Sequence, residues 1–291
     1  MEPVAQLIEP NISKSTSATP GPLSSQVTGA DTIEVKMTVA NAQIGDALRK
    51  FDLRVDEEEK RCVYFFDTPE RDLLEAGIIA RARRIVGDQH NSTVKFRPVE
   101  PGAVSRRWRK FEGFKIEADA SEKGVDKSVS LTRPVKRGLI RWAVEGEGKV
   151  RHLFKKEHGD FLSDIGRKAI NKALGRDTID FDTLTIFGPI MAHFGPIMAH
   201  RWEFCYAGCP WPINSELWVR CDRDRLMELS IRCPASHAAF ATFGFRGLLD
   251  DIGVQRDIEA KSKTRWALYK PVSPVTAAAP KLTDGPAGTR A

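Results

Sequence analysis

At 291 residues, 41% of them hydrophobic, the chain can bury a full core as one large domain or two small ones. Its 45 Lys and Arg against 39 Asp and Glu leave a net charge of +6 and a pI near 9.1. That mild excess suits local handling of an anion and not the coating of nucleic acid, and no apolar run approaches the ~18 residues of a membrane helix.

Positions 1–30 lack a basic start followed by an apolar run, and the Ser/Thr/Pro/Gly-rich stretch 13–22 reads as a disordered leader, not a secretory signal. The tail 271–291, rich in Pro, Ala and Gly, reads the same way, leaving 31–270 as the folded unit. Five cysteines without framework spacing indicate a reducing, cytoplasmic setting. Cys205 and Cys209 stand four apart near His200, but the paired spacing of a zinc site is missing, so ordinary thiols are expected.

Thr32–Val39 alternates as a strand, and 44–53 has helical spacing and is expected to pack over it. A Val/Tyr/Phe-rich strand follows at 61–67, then a short helix opened by Pro69 and stopped at Gly77. Segments 78–85 and 92–98 form a hairpin around a polar turn, and 111–120 makes a fifth strand. Between 134 and 174 the spacing becomes helical. Strands resume at 184–187, 200–206, 216–222 and 226–233, before a last long helix at 235–249 and a final segment near Lys261. Antiparallel strands with helices mostly on one side give an α+β, barrel-like class, without a βαβ repeat.

Five of these strands carry charges two, or in the last case four, residues apart: Glu34 and Lys36; Arg81 and Arg83; Lys95 and Arg97; Lys115, Glu117 and Asp119; Glu228 and Arg232. Alternation puts each set on one face. A solvated surface sheet does the same. The sorting into purely basic segments and mixed ones is what a concave site for a polyanion and its metal ions needs. The cluster Arg106 to Lys110 around Trp108 resembles a nucleic-acid patch but reads as a solvated loop.

The heptad Phe-Gly-Pro-Ile-Met-Ala-His occurs twice in tandem, at 187–193 and 194–200. Two copies are too few for a solenoid. Seven is odd, so a strand holding every residue of one added copy would turn all later side chains to the other face. One copy is therefore expected to loop out at a Gly-Pro, most simply as an insertion without function.

The residues so far resemble the CYTH family, the triphosphate tunnel metalloenzymes. Thr32-x-Glu34-x-Lys36 stands where that family has Glu-x-Glu-x-Lys. It is followed by Tyr64-Phe-Phe-Asp67-Thr68-Pro69, by Leu73-Leu74-x-Ala76-Gly77-Ile78 leading to Arg81-x-Arg83, and by Thr93-x-Lys95. Glu117-x-Asp119, Met227-Glu228, and Ser262-Lys263-Thr264 with Trp266-Ala267-Leu268 continue the series, so the likeness spans 32–269. It implies a closed eight-stranded antiparallel β-tunnel with helices outside, charges inside, and Ile33, Val35 and Met37 facing the helices. The family includes inorganic, thiamine and RNA triphosphatases and class IV adenylate cyclases.

The resemblance implies that Lys36, Arg81, Arg83, Lys95, Arg97, Arg201, Arg220 and Lys263 hold a triphosphate or polyphosphate. Glu34, Glu117, Asp119 and Glu228 would hold Mg2+ or Mn2+, with Glu34 and Glu117 acting through a metal-activated water. Two positions depart from the pattern: Thr32 replaces the first acid, and Ser230 sits where many members carry a second late acid. Three readings follow: a metal-dependent triphosphatase or cyclase-like enzyme, a non-catalytic polyphosphate- or nucleotide-binding tunnel, and a basic interaction module using its outer surface.

Overall fold

In the computed structural model, which describes residues 26–145, 150–173 and 192–269 (backbone alone for 167–173), nine described strands close into a barrel. They are β1 (Thr32–Val39), β2 (Glu59–Asp67), β3 (Ile78–Ile85), β4 (Asn91–Phe96) and β5 (Phe114–Ser121), then β6 (Gly124–Pro134), β7 (Ala192–Phe204), β8 (Ile213–Val219) and β9 (Arg225–Pro234). Around the ring the order is β1-β5-β6-β4-β3-β2-β7-β8-β9. The expectation of eight antiparallel strands is thus corrected to nine in a mixed sheet. A closed ring with an odd number of strands cannot alternate direction throughout. The parallel pair is β1 with β5, which sets Glu34 beside Asp119.

The strand the sequence reading did not find is β6. Beyond Asp126, its inward side chains, Ser128, Ser130 and Thr132, are small and uncharged, so a single acid is all that marks the face and the alternation of its neighbours is missing. The strand expected at 184–187 lies outside the described residues, as do 1–25 and 270–291. Val27, within the expected leader, is buried against the core.

Among the described residues six α-helices cover the barrel: α1 (Ile44–Lys50), α2 (Asp72–Glu75), α3 (Arg137–Val144), α4 (Lys156–Ala173), α5 (Ala238–Ile252) and α6 (Lys263–Tyr269). None among the described residues is long and apolar enough to cross a membrane. Ile33, Val35 and Met37 point outward as expected and pack with Ile44 and Ala47 of α1 and with Phe245 and Leu249 of α5. On the other side, Val94, Phe96, Val129 and Leu131 meet Ile140 of α3 and Phe161 and Leu162 of α4. Each such fully buried aliphatic or Phe side chain contributes about 1.5–3 kcal/mol.

His158 fastens α4 to β6. Its Nδ1 accepts the Lys155 N–H at 3.1 Å, so its Nε2–H is free to donate to the Leu131 carbonyl at 3.2 Å. Burial holds this neutral imidazole down at about 4. Trp108 likewise belongs to the core: it is 2% exposed and donates through Nε1 to Asp164 at 2.6 Å, so it offers no stacking platform to a nucleic acid.

A third apolar cluster lies inside the barrel. Val63 and Phe65 of β2, Ile197 and Ala199 of β7 and Trp218 of β8 pack under Ala267 and Leu268 of α6, filling one end of the interior. Arg220 secures that helix. It reaches Asp222 at 3.0 Å, Asp224 at 2.7 Å and the Trp266 carbonyl at 2.8 Å, with its guanidinium over the Trp266 ring.

The second heptad copy, 194–200, does not loop out; it is built into β7. The pairing of β2 with β7 runs from Val63 opposite Ile197 to Phe65 opposite Phe194, so β7 holds one extra residue there. That single-residue bulge shifts side-chain parity along β7 by one. Gly195 makes it possible: at φ 134° it lies so near the Val63 carbonyl that a Cβ would collide. Of the first copy, only Ala192 and His193 are described, both on β7.

The turn into β3 is tighter still. Asp67 accepts the Leu73 and Leu74 N–H groups at 2.9 Å, capping α2, and Gly77 then reverses the chain at φ 77°. The Gly77 carbonyl accepts the Arg97 N–H at 2.8 Å, and an added Cβ would run into the Arg97 carbonyl. Gly77→Ala is therefore predicted to cost about 1–3 kcal/mol, visible as a melting temperature lowered by about 2–4 °C per kcal/mol in thermal denaturation. An unchanged melting temperature would contradict this packing.

Candidate functional site

Alternation along the strands leaves a charged cavity of about 610 Å3 inside the barrel, beside the apolar end. Its lining carries twelve basic and ten acidic side chains, so its charge is nearly balanced and what matters is how it is distributed.

Asp119 is the hub of one wall. Placed on β5 beside Glu34 of β1, it is 4% exposed and touches three cations. Lys36 Nζ lies at 2.8 Å, Lys95 Nζ at 3.2 Å, and Arg97 donates to the same carboxylate. Lys36 also reaches Glu34 at 3.1 Å. Arg232 on β9 spans Glu117 at 3.0 Å and Glu34 at 3.4 Å, and Ser230 donates to the other oxygen of Glu34 at 3.1 Å. Asp31 is not a substitute for the acid missing at Thr32, because it pairs outside with Arg109 at 2.8 Å.

Further round the ring, past β1 and its neighbour β9, Glu216 of β8 faces Glu228 of β9 directly in the register. Lys263 from α6 sits between them, 2.7 Å from Glu228 and bonded to Glu216. Arg61 of β2 approaches Glu216 at 3.6 Å and pairs with Glu59. Arg201 also lines the cavity, donating to Asn214 and Glu203.

Arg81 and Arg83 on β3 are different. Among the described residues neither forms an ion pair; the Arg83 Nε donates to the neutral Asn91 side chain at 2.9 Å, and the Arg81 Nε is buried without a partner. Burial pushes both guanidinium pKa values down; for Arg81 the Glu216 carboxylate opposes it in part while Arg61 adds to it, and for Arg83 first Arg81 and then Arg61 add to it against Glu216 and Glu59. Lys95 is lowered by burial and then by Arg97 and Lys36. An arginine stays protonated regardless, so this direction measures electrostatic stress that a bound anion would relieve.

Of the side chains expected at the site, Glu34, Lys36, Arg81, Arg83, Lys95, Arg97, Glu117, Asp119, Arg201, Glu228 and Lys263 all line the cavity. Arg220 does not, which corrects its expected role: it lies past the end of β8, where alternation no longer fixes direction, and holds α6 instead. The reading missed Arg61 and Glu216, whose strands continue into apolar inward residues, and gave Arg232 no role. The signal was present in the alternation of Asn214, Glu216 and Trp218.

A resident divalent ion does not fit these residues. Among the described residues no three His, Cys, Asp or Glu side chains come together as a ligand set, Cys205, Cys209 and His200 included. Each expected carboxylate ligand is already held by a Lys or Arg.

No protein-family model and no curated protein matches the chain in sequence. Solved structures do. An adenylate cyclase candidate from Bacillus halodurans superposes with a TM-score of 0.52 at 13% identity, over 82% of this chain and 100% of its own. An adenylyl cyclase candidate from Hippeastrum, with a dominant triphosphatase activity, superposes with a TM-score of 0.50 at 13% identity, over 83% and 97%. The chain has the CYTH, or triphosphate tunnel, fold.

The acidic side of this CYTH tunnel ties its stability to pH. Burial raises the Glu216 carboxyl, but Lys263 and then Arg61 outweigh it and bring it from the usual 4.5 to about 2. Glu34 is raised by burial and lowered further by Lys36 and Arg232, ending well below the carboxylate range. A folded-state value below the unfolded one stabilises above the unfolded value and is lost as pH falls through the folded one. For Glu216 the window runs from 4.5 to about 2, and the full effect is about 3 kcal/mol. Denaturant titrations across that window are predicted to show a shallower acid loss for Glu216→Gln than for the wild type; identical slopes would contradict the pairing.

Proposed function

We propose that this tunnel binds the phosphate chain of a triphosphate-bearing anion, whether inorganic triphosphate, polyphosphate or an organic triphosphate. The observation that carries the reading is the pair Arg81 and Arg83, two half-buried guanidiniums that line the cavity and, among the described residues, form no ion pair with a carboxylate. Isolated buried cations are costly unless a counter-charge meets them, and phosphate oxygens suit the planar fork of Arg. Lys36, Lys95 and Arg97, grouped on Asp119, are close enough to exchange part of that contact for a second phosphate group. A basic outer module is the weaker reading, because the unpaired arginines point inward and Trp108 is buried.

Turnover of the anion is the second reading. It is favoured by the likeness to the Hippeastrum protein, whose dominant activity is that of a triphosphatase. Phosphate release from tripolyphosphate, ATP and thiamine triphosphate, with Mg2+ or Mn2+ supplied in the assay, tests it; cyclic nucleotide formation from ATP tests the cyclase-like alternative. For binding itself, Arg81→Ala is predicted to weaken tripolyphosphate at least about tenfold by calorimetry. Arg109→Ala, outside the barrel, is predicted to leave it unchanged. Equal affinity in the wild type and Arg81→Ala would remove the basis of this proposal.

A further inference from the structure

Four of the tunnel's acidic side chains stand in two pairs, and a tethered cation bridges each. Glu34 and Glu117 share the same Nη2 of Arg232, at 3.4 and 3.0 Å. Glu216 and Glu228, directly opposed across β8 and β9, share the Nζ of Lys263. Like charges set opposite one another on a sheet repel, and such a pair persists only with a cation between them. Two carboxylates with an open gap are also what a hard divalent cation uses when it is held partly by protein and partly by phosphate.

Here the oxygens of Glu34, Glu117 and Glu216 are already engaged, and Glu228 meets Lys263 through Oε1. Glu34 Oε1 accepts from Ser230, and its Oε2 meets Lys36 and Arg232. Glu216 Oε2 accepts from Lys263 and from the Trp218 indole at 3.1 Å, while its Oε1 faces Arg61. Glu117 gives one oxygen to Arg232 and faces Lys95 with the other at 3.9 Å. Ser230, a neutral donor in an acidic position, strengthens this arrangement, since it uses up an oxygen without adding charge.

We infer that Arg232 and Lys263 take the place of divalent ions between these carboxylates, so that the tunnel holds its phosphate ligand without a metal. The inference rests on the reading of the cavity as a triphosphate site. It divides the labour inside the barrel: Arg232 and Lys263 neutralise the acids, and Arg81 and Arg83 remain for the phosphates. Both bridging cations are fixed by the chain, one on β9 and one on α6. Their contribution is therefore independent of metal concentration and cannot be removed by chelation.

The experiment uses the full chain with two probes. Tripolyphosphate is titrated by calorimetry in EDTA and again with Mn2+, and Mn2+ alone is titrated by electron paramagnetic resonance. The wild type is expected to bind tripolyphosphate in EDTA and to leave the free Mn2+ signal undiminished. Replacing the bridges, Lys263→Gln with Arg232→Gln, is expected to open the acid pairs and tighten Mn2+ binding at least about tenfold. A folded double variant that gains no Mn2+ binding overturns the inference. So does a wild type that binds tripolyphosphate only with Mn2+, although that result leaves the anion site standing. Failure to bind under both conditions overturns the anion site itself. If the variant does not fold, the two wild-type titrations still decide the question.

Discussion

Asp119 is the buried anion around which the interior of this barrel is organised. It draws Lys36 from β1, Lys95 from β4 and Arg97 from just beyond β4 onto one carboxylate of β5. Placing charges inside a protein is unfavourable unless each finds a partner, and removing one member strands the others. Because β5 lies parallel to β1, Asp119 sits beside Glu34, and the network passes through Glu34 to Arg232 and Glu117. The closure of the barrel and the assembly of its charged wall are therefore one event. The apolar outward residues of the same strands bind the covering helices, so alternation along each strand serves both purposes.

Within that frame the charges are not evenly spread. The acids cluster on β1, β5, β8 and β9 and are neutralised by Lys and Arg in place. The surplus of positive charge lies on β3, where Arg81 and Arg83 face the cavity beside Arg61. That asymmetry gives the cavity a direction. On the proposed reading a phosphate chain would lie on the β3 side, while Trp218 and the α6 side chains fill one end with apolar bulk.

Much of this was legible in the sequence wherever the inward residues are charged. Glu34 and Lys36, Arg81 and Arg83, Lys95 and Arg97, and Glu117 and Asp119 announce their strands and their shared face. β6 stayed hidden because, after Asp126, its inward Ser128, Ser130 and Thr132 carry no charge to alternate. Arg61 and Glu216 were obscured because the inward face of their strands turns apolar at Val63 and Trp218. Arg220 was placed wrongly because parity says nothing beyond a strand's end, where the turn sends its guanidinium to Asp222, Asp224 and the Trp266 carbonyl. The strand count and the parallel pair are properties of long-range closure, which no local pattern encodes. The duplicated heptad shows the same limit: its odd length signalled a parity problem, but the parity shift seen in β7 at Gly195 depends on pairing with Val63 and Phe65.

The central claim is that the charged interior exists to hold a phosphate chain against β3. A crystal structure of the full chain soaked with tripolyphosphate tests it most directly. The account predicts phosphate oxygens inside the barrel, within about 3 Å of the guanidiniums of Arg81 and Arg83. Tripolyphosphate bound on the outer surface, with the interior arginines untouched, would contradict it.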